Sequence, residues 1–147
     1  MNQKLTRQES RNLAMNLVGE ELEKEGYEFL AINSDLKKNP QFVVLKNKET
    51  SFVVVRDVSS SEKLNNYNHI TIKPIIEHAI KHKAKVYYAG ILLGHGLDIN
   101  QPVINGEDYS FVYKGLIEIK WNEHIEYFTP KEIKNSRTLI IKHKNCE

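Results

Sequence analysis

Two histidines, His78 and His82, stand four apart in the string EHAIKH. On a helix that spacing brings both rings to one side, where together they could grip a zinc ion. A zinc peptidase needs a glutamate directly after the first histidine, and Ala79 is there instead. Both histidines fall opposite the apolar positions of their segment, so solvent exposure is the simpler account. Spacing alone does not place a third ligand such as Glu77 or His95. A second candidate is GHG, Gly94 to Gly96, which follows an apolar run. A glycine-rich turn there could cradle phosphate with backbone amides, but no helix clearly follows, and a plain tight turn is preferred. The third is basic: Arg56, Lys73, Lys81, Lys83 and Lys85, with Lys37, Lys38, Lys46 and Lys48 around a hairpin. Such clusters attract phosphate backbones, and they are equally the mark of a solvated surface with protected strand edges.

The elements that must position these residues can be read from periodicity. Thr6 and Glu9 have the spacing of a capping box. Leu13, Ala14, Leu17, Val18 and Leu22 then recur at helical steps, and Gly26 suits a left-handed cap after Glu25. Gly19, inside this helix, costs about 1 kcal/mol relative to alanine. A strand is expected over Tyr27 to Asn33. A valine-rich hairpin is expected from Gln41–Leu45 and Ser51–Val58, joined by the loop KNKET. A second helix is expected over about Thr71 to Lys83, with Pro74 near its first turn and Ile76, Ala79, Ile80 and Lys83 on one face, Ile75 at its edge. KVYYAGILLG reads as a buried strand, GHGLDINQPVINGED as a loop, and DYSFVYKGLIEIKW as a strand. Asn122-Glu123 is a candidate turn into HIEYF, and TPKE, with Thr129 and Glu132, repeats the capping-box spacing. RTLIIKHKNCE is open between strand and helix. A lone crossover helix between the third and fourth strands predicts a parallel pair there, after an antiparallel meander. The order is αβββαβ plus a β-rich C-terminal part, an α/β fold with a mixed β-sheet flanked by helices.

The 147 residues, 40% hydrophobic and 27% charged, make a single domain over 1–147 with a core that buries roughly two-thirds of the unfolded surface. A net charge of +2 lacks the strong basic excess of a dedicated nucleic-acid binder. The one cysteine, Cys146, excludes a disulfide framework within a chain, a cysteine-based zinc site and a four-cysteine iron–sulfur site. The opening MNQKLTRQES has no signal-peptide run, and no window reaches the ~18–20 apolar residues that span a bilayer. A cytoplasmic protein with no membrane contact is expected.

GEELEKEGYEFLAIN, Gly19 to Asn33, and SFVVVRDV, Ser51 to Val58, resemble the restriction-endonuclease-like, or PD-(D/E)xK, superfamily over about the first 95 residues. The resemblance implies a hairpin cleft in which carboxylates hold Mg²⁺ and a lysine steadies the attacking water. The strand acid and lysine lie two apart so that they point the same way. Here those positions are Val54 and Arg56, and the usual Pro-Asp of the preceding strand is Pro40-Gln41. Valine ligates no metal, and arginine stays protonated, so it can clamp phosphate but not act as a base. Glu20 matches the family's helix acid. The resemblance therefore implies a degenerate endonuclease-like fold with no catalytic residue, no metal and no cofactor. The whole chain is also similar to a group of small bacterial proteins often labelled as a subunit of the Na⁺-translocating NADH:quinone reductase. LTRQESRNLAMNLVGEELEKEGYEFLAINSDLKKNPQFVVLK and HAIKHKAKVYYAGILLG carry that likeness. The label implies iron–sulfur and flavin chemistry, which one cysteine and the lack of a G-x-G-x-x-G motif do not support.

The expected role is binding, to nucleic acid or to a protein partner, at a cleft formed by Glu20, Gln41, Arg56 and Lys73. Arg56 and Lys73 would contact phosphate, and Glu20 would pair with Arg56. Tyr67, Tyr87, Tyr88 and Tyr109 are expected in the core or on a sheet face. The alternative is an assembly module, with Trp121 and Tyr127 on a homodimer surface. The third reading is an active metal-dependent nuclease whose acids have migrated to positions such as Asp57 or Asp35.

Overall fold

A computed structural model describes residues 3–35, 40–60, 63–64, 67, 69–121, 127–128 and 139–143. In chain order the elements are α1 (Arg7–Lys24), β1 (Glu28–Ile32), β2 (Phe42–Lys46), β3 (Glu49–Val58), α2 (His69–Lys81), β4 (Lys85–His95), β5 (Tyr109–Tyr113), β6 (Ile117–Trp121), β7 (Tyr127–Phe128) and β8 (Leu139–His143). The strands lie in the order β1-β2-β3-β4-β5-β8, with β6 beside β4 and β7 beside β6. β3 and β4 pair in parallel across α2, and the other pairings are antiparallel. Among the described residues the fold is α/β with a mixed sheet and two helices.

The run of valines in β3 is explained by burial on both faces of the sheet. Val53 and Val55 point to one side and pack with Ala14, Val18 and Leu22 of α1. Phe52 and Val54 point to the other and pack with Ile72, Ile76 and Ala79 of α2. A strand covered on both sides has no polar face to present, so its sequence does not alternate. β4 divides in the same way, with Ala89 and Ile91 toward α1 and Val86 and Tyr88 toward α2.

α1 starts at the expected capping box. Thr6 Oγ1 accepts from the Glu9 amide at 3.1 Å, and Glu9 Oε1 accepts from the Thr6 amide at 2.8 Å. It ends at Glu25, and Gly26 follows at φ 90°. Its buried face extends one step further toward the N-terminus than the apolar stripe, to Arg11. Gly19 has no steric reason to be glycine: an added methyl would meet the Phe42 ring at 3.5 Å, an ordinary contact.

Several expectations are corrected. The hairpin loop is shorter than KNKET. Lys46 pairs with Glu49, and the turn is Asn47-Lys48, at φ 53° and 67°. These left-handed values give a primed turn, whose twist matches the strands it joins. α2 begins earlier than expected, and Pro74 sits inside it rather than in its first turn. There it has no amide to give to the helical ladder. The packed face of α2 is Ile72, Ile75, Ile76 and Ala79, while Ile80 is 46% exposed and Lys83 lies beyond the helix. DYSFVYKGLIEIKW forms two strands that pair with one side of β4. Ile91 pairs with Tyr113 and Tyr88 with Ile117, so the register slips by one residue around Lys114–Leu116, with Gly115 at φ 94°. Within the tail, Leu139–His143 forms the strand β8. The expected Asn122-Glu123 turn and the TPKE helix start lie outside the described residues.

Tyr67, Tyr88 and Tyr109 are buried and Tyr87 is half-buried. Trp121 is partly buried against the α2-side core, and the Tyr127 side chain lies outside the description. Among the described residues no helix is long and apolar enough to cross a membrane.

Candidate functional site

The site arises from unequal strand lengths. β2 begins only at Phe42, opposite Val53, whereas β3 runs on past that point beside β4 to Val58. Pro40, just before β2, has no amide with which to continue the ladder. Among the described residues, the peptide groups of Val55 on that side therefore have no facing strand. A buried amide or carbonyl left unpaired costs about 1–3 kcal/mol, so side chains must take the strand's place. Gln41 Oε1 accepts from the Val55 amide at 2.8 Å. The Val55 carbonyl accepts from Arg11 Nη1 at 2.7 Å and from Arg56 Nη1 at 2.8 Å. Arg56 Nη1 also donates to Gln41 Oε1 at 3.1 Å.

Two guanidinium groups thus converge on one peptide carbonyl. Arg11 is 5% exposed, and its Nε lies 3.4 Å from Asp57 Oδ1. Arg56 is held below the ordinary guanidinium range, first by burial and then by the neighbouring Arg11 charge, with Tyr88 and Asp57 acting the other way. It remains a cation at neutral pH, but one whose charge is disfavoured by its surroundings.

Beside Arg56, at the carboxyl end of β3 and next to Thr71 and Ile72 near the start of α2, is a hollow of about 340 Å³. Val54 and Tyr88 contribute apolar wall, and Arg56, Lys63, Ser59, Tyr67 and Thr71 contribute polar groups. Asp57 is the one carboxylate among the described lining residues, and it already pairs with Arg11. In α/β sheets ligands bind outside the carboxyl ends of parallel strands, which is the location of this hollow. The loop that brings Lys63 there depends on Gly90. Gly90 pairs with Arg56 across the parallel ladder, and a methyl on it would overlap the Leu64 carbonyl. Glycine lets that loop lie directly on β4.

Of the four residues expected to form the cleft, the structure joins Gln41 and Arg56. Glu20 is exposed and lines a separate groove of about 640 Å³ between α1 and β1. It is not among the charges acting on Arg56, and the α1 residue that meets the end of β3 is Arg11. The expected Glu20–Arg56 pair is corrected accordingly: a helix rises about 1.5 Å per residue, so Glu20 stands roughly 13 Å further along the axis than Arg11. Lys73 is exposed on α2 and does not line the hollow. Lys63, which was not singled out in the sequence, does.

The other candidates resolve as packing. Asp57 does sit opposite Arg56 in direction, toward α1, where Arg11 engages it. Asp35 is exposed and outside the hollow's lining. His78 and His82 are exposed, 4.5 Å apart between ring centroids, and each stacks near Phe52. Among the described residues no three histidine, cysteine, aspartate or glutamate side chains are grouped to hold a metal ion. The expected GHG turn is corrected: Gly94 and His95 are the last residues of β4, paired with Ser110 and Tyr109, and the chain folds back over them only after Gly96. A methyl on Gly94 would overlap the Ile99 backbone, the Leu97 amide donates to His95 Nδ1 at 3.1 Å, and His95 Nε2 faces Glu107 Oε1 at 2.9 Å. With Nδ1 accepting, Nε2 carries the proton and donates to Glu107. Lys85 is tied to Glu49 at 2.8 Å, and Lys46 lies over the Tyr27 ring.

No curated protein and no solved structure matches this chain. One family model does, described as a domain of unknown function, DUF8840, and it matches residues 8–119. That span runs from the first turn of α1 into β6, and so includes Arg11, Gln41, Arg56 and Lys63. On that match the chain belongs to the DUF8840 family.

Proposed function

We propose that this protein is a non-catalytic, endonuclease-like binding protein that holds nucleic acid by its phosphates at the end of β3. The observation that carries this reading is the convergence of Arg11 and Arg56 on the Val55 carbonyl beside a hollow that Lys63 also lines. Arg56 is a partly desolvated cation next to a like charge. An anion in the hollow would relieve both penalties, and a phosphate oxygen offers a geometry that guanidinium matches well. Lys63, Ser59 and Thr71 supply further donors around it.

Two residues support the absence of hydrolysis. Val54, at the position of the strand acid, is 1% exposed and packed into the α2-side core. Gln41 is fully buried, and its one side-chain oxygen already accepts from Val55 and Arg56. Neither position offers an anionic oxygen to a divalent ion. The restriction-endonuclease-like ancestry belongs to this proposal, and the cleft residues are its content.

The test is fluorescence anisotropy with labelled single- and double-stranded DNA and RNA at low salt, with plasmid incubated in parallel with Mg²⁺ or Mn²⁺. Binding of at least one nucleic acid without cutting is expected. Absence of binding to all four at low salt would remove the nucleic-acid role. Cutting that is abolished by Asp57→Ala would replace the reading with that of an active nuclease.

A further inference from the structure

β1 is an edge strand whose defences are slight: it is short and its register slips once. Natural sheets place lysine or proline there, or cover the strand. EFLAI carries neither residue, and among the described residues nothing pairs with its outer side. Its register against β2 slips at Leu30: Phe29 pairs with Val44, Ala31 with Val43 and Ile32 with Phe42. The slip breaks the alternation. Phe29 and Ile32, three apart, both come to the α1 side, where Phe42 and Val44 also point. Leu30 is 53% exposed and Ile32 64% exposed.

On that side lies the groove of about 640 Å³. Met15, Phe29, Ile32 and Phe42 give it an apolar floor, and Glu20 and Glu23 give it an acidic wall. No lysine or arginine is among its described lining residues. On a chain whose net charge is +2, this is a place where an anionic wall, an apolar floor and a strand edge unpaired among the described residues coincide.

We infer that the groove between α1 and the β1 edge docks an extended, basic segment of a partner protein. Its backbone adds to β1 as a strand, which satisfies peptide groups that an edge leaves to water. Lysine or arginine side chains on its α1-facing side lay their aliphatic stems over Phe29 and Ile32 and reach Glu20 and Glu23 with their charged ends. The charge pattern selects against an acidic segment, since like charges in the groove are repelled. Glu20 thus acts at a protein-docking groove and not at the Arg56 hollow.

The probe is a fluorescein-labelled octapeptide of alternating Lys-Val, compared by anisotropy with alternating Glu-Val and alternating Lys-Ser peptides on the full chain. Lys-Val is expected to bind at least tenfold more tightly than either. Glu20→Lys with Glu23→Lys, both at exposed positions, is expected to weaken it at least tenfold. Ile32→Ser is expected to weaken it several-fold, while Lys63→Gln, in the separate hollow, leaves it unchanged. Circular dichroism identifies any variant that fails to fold, and Ile32→Ser and the double variant each stand as a check on the other. Equal binding of Lys-Ser reduces the effect to nonspecific charge attraction and overturns the inference. So does binding that is indifferent to the Glu20/Glu23 reversal, or equal binding of Glu-Val.

Discussion

Three polar side chains at the end of β3 answer to a single residue, Val55. Gln41 meets its amide, and Arg11 and Arg56 meet its carbonyl. Truncating Gln41 to alanine strands a buried N–H and removes an acceptor from Arg56. Urea unfolding should register a loss of about 1–3 kcal/mol, with Gln41→Glu, which keeps an acceptor there, losing less. An alanine variant as stable as the parent would mean that the amide finds another partner. Gln41 and Arg56 stood out in the sequence because the proposed endonuclease-like resemblance aligns them with an acid and a lysine. Arg11 did not, although it left a signal: 11, 14, 15, 18 and 22 form one stripe, and a charge on such a stripe must be either at its solvated edge or paired in the core. Deciding between the two requires knowing that β3 outlasts β2, a fact of tertiary pairing. Lys63 was missed for a related reason, since its loop reaches the hollow only because Gly90 leaves room.

The elements follow local chemistry where it is strong and depart where two signals compete. The capping box at Thr6 and Glu9 and the cap at Gly26 fixed both ends of α1. Pro74 misplaced the start of α2, because proline is common in first turns and its presence deeper in the helix is unfavourable by propensity. The packing of Ile72, Ile75, Ile76 and Ala79 on the sheet outweighs that penalty. Two substitutions probe elements without touching the hollow. Lys48 holds φ 67° in the two-residue turn, where glycine is at ease, so Lys48→Gly is expected to stabilise the protein by about 1 kcal/mol. A fall in thermal midpoint instead would show that the lysine makes a contact that matters more than its backbone strain. Gly19→Ala should add about 0.5–1 kcal/mol, since the methyl meets Phe42 at contact distance and alanine favours the helix. Destabilisation there would mean that Phe42 cannot yield.

At the scale of the whole molecule, the valine runs made an α/β fold with a mixed sheet readable, since only a sheet covered on both faces has use for them. The pairing of β5 and β6 with one side of β4 was not readable, because a one-residue slip leaves no mark in periodicity. The core also sets the response to alkali. Burial first, then the carboxylates of Glu25 and Glu21, raise the Tyr113 phenol far above its ordinary value near 10. Burial raises Tyr88, Tyr87 and Tyr27 as well. The unfolded chain releases these protons first, so stability is unaffected below pH ~10 and falls as pH rises above it, by about 1.4 kcal/mol per pH unit for each proton. Tyrosinate absorbance from the buried set should appear together with loss of circular dichroism. Its full appearance before unfolding would contradict the burial of Tyr113.

The proposed function requires that the hollow at the end of β3 bind phosphate through Arg56 and Lys63. The most direct measurement is the salt dependence of oligonucleotide affinity for the parent chain and for Lys63→Gln, an exposed position whose loss spares the Val55 network. On a single strand, log affinity against log salt should lose about 0.7 from its slope for the one phosphate contact removed, with affinity falling for every sequence alike. A slope identical in the two proteins, with binding retained, would place the nucleic acid elsewhere on the molecule and contradict the claim.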